Sequence, residues 1–76
     1  MKEVLEVIAK ALVEHPDEVS VTEIPGDNSL TLELRVADGD MGKVIGKQGK
    51  IAKAIRTVVK AAASMENMHV SVDIVQ

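Results

Sequence analysis

The chain has no cysteine, and it has no phenylalanine, tyrosine or tryptophan among its 76 residues. Without thiols there is neither a disulfide nor a thiolate metal site to staple the fold, and the composition fits a reducing, cytoplasmic setting. Without aromatic rings, the core must be assembled from Val, Ile, Leu, Ala and Met, and a ligand base finds no ring to stack on. No window approaches 18 consecutive apolar residues, which excludes a membrane-spanning helix. The opening Met1-Lys2-Glu3-Val4 lacks a cationic segment followed by an apolar run, so a secretory leader is not expected. His15 and His69 stand far apart with no cysteine partners, so no metal site is expected and no cofactor is indicated. A chain of this length accommodates one domain, residues 1–76. It buries about 60–65% of its unfolded surface, which leaves a modest stability margin.

Acids are missing from one stretch only. From Met41 to Lys60 there are 5 Lys and 1 Arg and no Asp or Glu, although the chain as a whole is acidic, with 9 basic and 12 acidic side chains. Residues 1–38 carry net −6 and residues 39–76 net +3, so the overall −3 conceals a cationic surface. A local field of this kind steers a polyanion irrespective of the global isoelectric point.

The apolar pattern orders the elements. Val4, Leu5, Ile8 and Leu12 recur at helical spacing and predict an amphipathic helix over about residues 2–14, stopped by His15-Pro16. Its acidic outer face argues against a membrane-surface role. Val19–Ile24 reads as a strand and Pro25-Gly26-Asp27-Asn28 as a turn. Leu30, Leu32, Leu34 and Val36 alternate with Thr31, Glu33 and Arg35 in a second, clearer strand, and the two strands form an antiparallel hairpin. Asp38-Gly39-Asp40 ends it. Asp40 is placed to N-cap a short helix over Met41–Ile45, although Lys43 at the third helical position spoils a capping box. After Gly46 and Gly49, helical periodicity resumes at Ile51, Ala54, Ile55, Val58, Val59, Ala62 and Ala63. The chain closes with Met68, Val70, Val72 and Ile74 alternating with polar residues in a third strand. The order α-β-β-α-α-β leaves room for a parallel crossover, giving a two-layer α/β (α+β) fold. Its three-stranded mixed sheet carries helices on one face and Thr31, Glu33, Arg35, His69 and Asp73 on the other.

The glycine stretch Gly42-Lys43-Val44-Ile45-Gly46-Lys47-Gln48-Gly49-Lys50-Ile51 is where chemistry is expected. It is not a nucleotide P-loop: Met41 stands where the first glycine would be, and Gln48 replaces the hydroxyl residue that follows Gly-Lys. A dinucleotide fingerprint fails as well, with Val44 at a required glycine and a helix where the preceding strand belongs. A helix–Gly-x-x-Gly–helix turn does something else. Its glycines admit a close-lying backbone, the next helix presents a positive N-terminal end, and Lys47 and Lys50 add mobile charge. Those features suit the sugar-phosphate backbone of a single strand.

Val44-Ile45-Gly46-Lys47-Gln48-Gly49, followed by the apolar stripe of Ile51 and Ile55, resembles the K-homology (KH) RNA-binding domain. The element order is similar to its bacterial, type II form; Gly42 through Arg56 and the Val58–Ala63 continuation resemble the small bacterial single-KH proteins, and the resemblance covers essentially the whole chain. Gly-x-x-Gly alone is a weak pattern; with this stripe and this order of elements it becomes specific. One position departs from the general pattern: the third residue after the second glycine is commonly isoleucine and here is Ala52, which reads as local repacking. The resemblance implies a cleft for about four unpaired nucleotides, clamped at their backbone by the loop. Lys43, Gly46, Lys47, Gln48, Gly49, Lys50, Lys53 and Arg56 would meet the strand, with Ile45 and Val44 as an apolar floor. It further implies a post-transcriptional regulator or RNA chaperone linked to cell elongation and division. Such proteins act as homodimers or in heteromers with a larger KH-containing RNA-binding protein.

Plainer readings stand beside these. Lys50, Lys53, Arg56 and Lys60, spaced 3, 3 and 4 apart, also describe a solvated helix face, and one of Val44 and Ile45 must belong to the core. Asp38 and Asp40 are not catalytic carboxylates, because no histidine, nucleophile or enclosed pocket accompanies them; capping and strand termination account for both, and no enzyme is indicated. The alternative function is a protein–protein adaptor whose partner supplies most of the RNA binding. Dimerisation is expected through an edge strand or the long Val/Ala-rich helix.

Overall fold

The computed structural model describes residues 1–75; Gln76, the last position of the expected 1–76 domain, lies outside the described residues. Helix α1 spans Lys2–Leu12, β1 Ser20–Gly26, β2 Ser29–Arg35, α2 Met41–Ile45, α3 Lys50–Ser64 and β3 His69–Val75. The sheet is ordered β1-β2-β3. β1 and β2 are antiparallel, with Val21 opposite Leu34, whereas β2 and β3 are parallel, with Leu32 opposite Val72. This is the mixed sheet and the α-β-β-α-α-β order that the periodicities predict.

One core explains the architecture. Leu5 and Ala9 from α1, Val44 from α2, and Ile55, Val59 and Ala63 from α3 pack on Val21, Leu32, Leu34, Val70 and Val72. The strand residues are alternate positions, so they share one sheet face, and all three helices lie on it. On the other face Arg35 pairs with Glu33 at 3.6 Å, and His69 and Asp73 are exposed.

Two local boundaries differ from expectation. The hairpin turns at Asp27 and Asn28, since Pro25 and Gly26 remain in register opposite Leu30 and Ser29. Asn28 takes the left-handed conformation (φ 53°), which asparagine tolerates better than most residues. Pro25 is permitted inside the strand because β1 is an edge. The first helix stops at Leu12, two residues before the expected end. Val13 still donates its N–H to Ala9 at 3.2 Å but is itself extended, and the next two amides turn to Asp40. Asp40 stands at the N-cap position of α2, yet its side chain makes no capping hydrogen bond there.

Candidate nucleic-acid interface

Three of the four residues in the Gly-x-x-Gly turn have positive φ: Gly46 (75°), Gln48 (57°) and Gly49 (74°). The turn is held by its own backbone, with Gly46 N–H donating to Gly42 at 2.9 Å and Gly49 N–H to Gly46 at 3.2 Å. The two glycines are needed for different reasons. A Cβ at Gly46 would lie 2.5 Å from Ile51 Cγ1, so Ile51 occupies the space beside it; a Cβ at Gly49 would meet nothing within 4 Å. Close approach from outside is therefore available at Gly49, while Gly46 serves the internal packing of the turn. Gln48, a non-glycine residue in the left-handed region, carries conformational strain of about 1–2 kcal/mol.

Beyond the turn, α3 has Gly49 as its N-cap residue, with no side-chain cap and no acid in its first turn. Its positive end is thus not neutralised by an acid of its own first turn. Lys47, Gln48, Lys50 and Lys53 are exposed around it. Val44 is fully buried in the core, whereas Ile45 is half-buried at its edge. The requirement that one of the pair be core is met by Val44, which leaves Ile45 as the apolar surface a base could reach. Ala52, where the general KH pattern has isoleucine, is 5% exposed.

Two of the expected contact residues are engaged by protein. Lys43 Nζ lies 3.6 Å from Glu14 Oε1, an exposed pair. Arg56 Nε donates to the Val72 carbonyl at 3.2 Å, bracing the side chain across the edge of β3. Arg56, Lys60, Val70, Ser71 and Val72 line a groove of about 200 Å³ there. It shares Lys60, Val70 and Ser71 with a wider one of about 570 Å³ that also includes Ser64, Asn67 and His69. Spacing had placed Lys60 on the cationic stripe; Asn67 and Ser71 carried no signal and His69 read only as part of the polar sheet face, because only the α3–β3 connection brings them to the groove. Among the described residues no group of three or more His, Asp or Glu side chains could hold a metal ion. No helix among them is long and apolar enough to cross a membrane.

A mixed three-stranded sheet, helices on one face and a glycine turn between two helices define a type II KH-like domain. The family model described as "KhpA/KhpB, KH domain" matches residues 2–74, and the chain belongs to that family. RNA-binding protein KhpA of Clostridium acetobutylicum is 65% identical over 75 residues, covering 99% of this chain and 100% of that protein. KhpA of Clostridium perfringens is 63% identical with the same coverage, and KhpA of Chlamydia trachomatis is 49% identical over 76 residues, covering 100% of this chain and 97% of its own. Among solved structures, Aquifex aeolicus Era bound to GDP.AlF4− superposes with a TM-score of 0.59 at 24% identity. Era in complex with MgGDPNP and a 16S ribosomal RNA segment gives 0.60, also at 24% identity. Each match covers 96% of this chain and 28% of the Era chain, a likeness of fold.

Proposed function

We propose that the chain binds single-stranded RNA without catalysis, clamping the sugar-phosphate backbone at Gly46–Gly49 and leading the strand along α3 toward the edge of β3. The observation that carries this reading is the open left-handed Gly49 at the uncapped, acid-free start of α3, ringed by Lys47, Lys50 and Lys53. Backbone amides at a helix start donate to phosphate oxygens, and the lysines neutralise the remaining charge. Membership of a KH-domain family whose relatives are named RNA-binding proteins supports the same assignment. With no aromatic ring in the chain, stacking worth about 1–3 kcal/mol per base is missing. Affinity for a short strand is therefore on the order of micromolar or weaker. About 3 neutralised phosphates give a slope of log K against log salt near −2. Titration of short single-stranded and duplex RNA over a salt series tests this: preference for the single strand with that slope is expected, and a flat dependence overturns the electrostatic clamp.

The chain also works as a homodimer in this reading. Ile8 and Leu12 of α1 and Ile51, Ala54, Ile55 and Val58 of α3 line a largely apolar groove of about 370 Å³, with Lys50 at its border and Val58 49% exposed within it. A small fold gains from covering such a surface. The edge strands serve less well, since Arg56 braces β3 and Pro25 sits in β1. A larger KH-containing RNA-binding protein could use the same groove in a heteromer, and both assemblies belong to the cytoplasm, where RNA is regulated after transcription.

A further inference from the structure

Asp40 is the one buried charged or polar residue among the described residues, 1% exposed, in a core otherwise aliphatic. Burying a carboxylate is costly unless its oxygens are hydrogen-bonded. Here Oδ1 accepts the Glu14 N–H at 3.2 Å and Oδ2 the His15 N–H at 3.0 Å, across 26 and 25 residues of chain. Ending β2 or starting α2 requires neither bond. A second link joins the same segments, the Lys43–Glu14 pair at 3.6 Å. The exit of α1 is thus fastened at two points to the start of α2, the helix of 5 residues that ends against Gly46. So short a helix has little hold of its own, and Val44 is its only fully buried side chain.

We infer that Asp40 is a positioning residue for the glycine turn: by gripping the α1 exit it sets the direction of α2, and with it the placement of Gly46 through Gly49. Without the grip, α2 is anchored by the buried Val44 with only the half-buried Met41 and Ile45 beside it, and it shifts about Val44. Its consequence for affinity rests on the RNA-binding reading above, because a mobile turn must be ordered before it can clamp a backbone. The mechanical part does not depend on that reading.

The test is Asp40→Asn, which keeps the shape but turns an amide NH2 toward one of the two backbone donors. Val21→Ala, a core truncation in β1 outside both fastened segments, is the control. At a temperature where both variants are folded, Asp40→Asn should speed amide hydrogen exchange at Gly46 and Gly49 at least tenfold and raise the Kd for short RNA about fivefold to tenfold. Val21→Ala should leave that exchange nearly unchanged and move Kd less than twofold. Equal effects in the two variants would reduce Asp40 to general stability, and unchanged exchange in Asp40→Asn would overturn the inference outright. If the parent protein fails to bind RNA, the functional reading falls while exchange at the turn still decides the mechanical one. Should Asp40→Asn not fold, native-state exchange of the parent across a denaturant series takes its place. Glu14, His15 and Gly46 amides should then open as one unit, and separate openings would refute the linkage.

Discussion

Along one side of α3, Lys50, Lys53, Arg56 and Lys60 stand exposed over about 15 Å of helix. Along another, Ile51, Ala54 and Val58 join Ile8 and Leu12 in an apolar groove, with the core-facing Ala52, Ile55, Val59 and Ala63 between the two. At about 100° per residue the three stripes fill the circumference, and Lys50 borders both outer ones. A charged stripe attracts a polyanion at long range and weakens with salt, whereas an apolar stripe acts only on contact and is nearly salt-independent. On the proposed reading one helix serves RNA on one side and a second protein chain on the other, and perturbing each side should leave the other largely in place.

The largest separation comes from reversing charge at the turn. Lys47→Asp with Gln48→Asp, both glycines retained, should weaken RNA binding at low salt at least tenfold, since one charged hydrogen bond is worth about 1.5–3 kcal/mol before repulsion is added. Both side chains are exposed, so stability should move by less than about 0.5 kcal/mol. A folded variant binding within about twofold of the parent would remove the turn from the mechanism. The converse substitution is Val58→Asp, at a side chain 49% exposed in the apolar groove. Sedimentation equilibrium should then return the 8.1 kDa monomer, while affinity for a short RNA changes less than about threefold. A dimer that survives Val58→Asp places the interface elsewhere.

A finer comparison lies within the cationic stripe. Lys53→Ala and Arg56→Ala should each reduce the salt slope by about 0.7 if each residue neutralises one phosphate. Only Arg56→Ala should also lower stability, by about 1 kcal/mol, because it releases the Val72 carbonyl. An unchanged slope with lowered stability would leave Arg56 a brace for the sheet edge and nothing more. The smallest effect belongs to Glu14→Gln, which frees Lys43 from an exposed ion pair of the kind worth less than about 1 kcal/mol. RNA affinity at low salt should change by no more than about threefold: a rise shows that the pair competes with RNA for Lys43, and a fall that it helps the Asp40 grip hold α2 in place.

Much of this was legible in sequence because local patterns carry it. Alternation in β2 predicted which side chains enter the core, and Leu32 and Leu34 are fully buried. The Gly-x-x-Gly turn was visible because positive φ favours glycine, and Gly46 and Gly49 both have it. The stripe in α3 was visible too, but not its division: Ile51, Ala54 and Val58 read as core from periodicity, yet Val58 is half exposed because α1 lies beside it without covering it. Arg56 read as a free cation, since nothing in its neighbourhood in the chain announces the Val72 carbonyl. Asp40 read as a helix cap from its place before Met41.

The sequence by itself determined the element order, the sheet face that becomes core and the chemistry of the turn, each of which follows from residue type and spacing within a few positions. Tertiary structure alone decided where α1 stops, which of the two loop glycines stays open, and which cations are left for a ligand. Those outcomes depend on partners far away in the chain, such as Asp40 with Glu14 and His15 or Arg56 with Val72, or on close packing of two side chains, as between Ile51 and Gly46. A hydrogen-bond acceptor 25 residues away leaves no periodicity in the donor's own neighbourhood, so only the folded chain can report it.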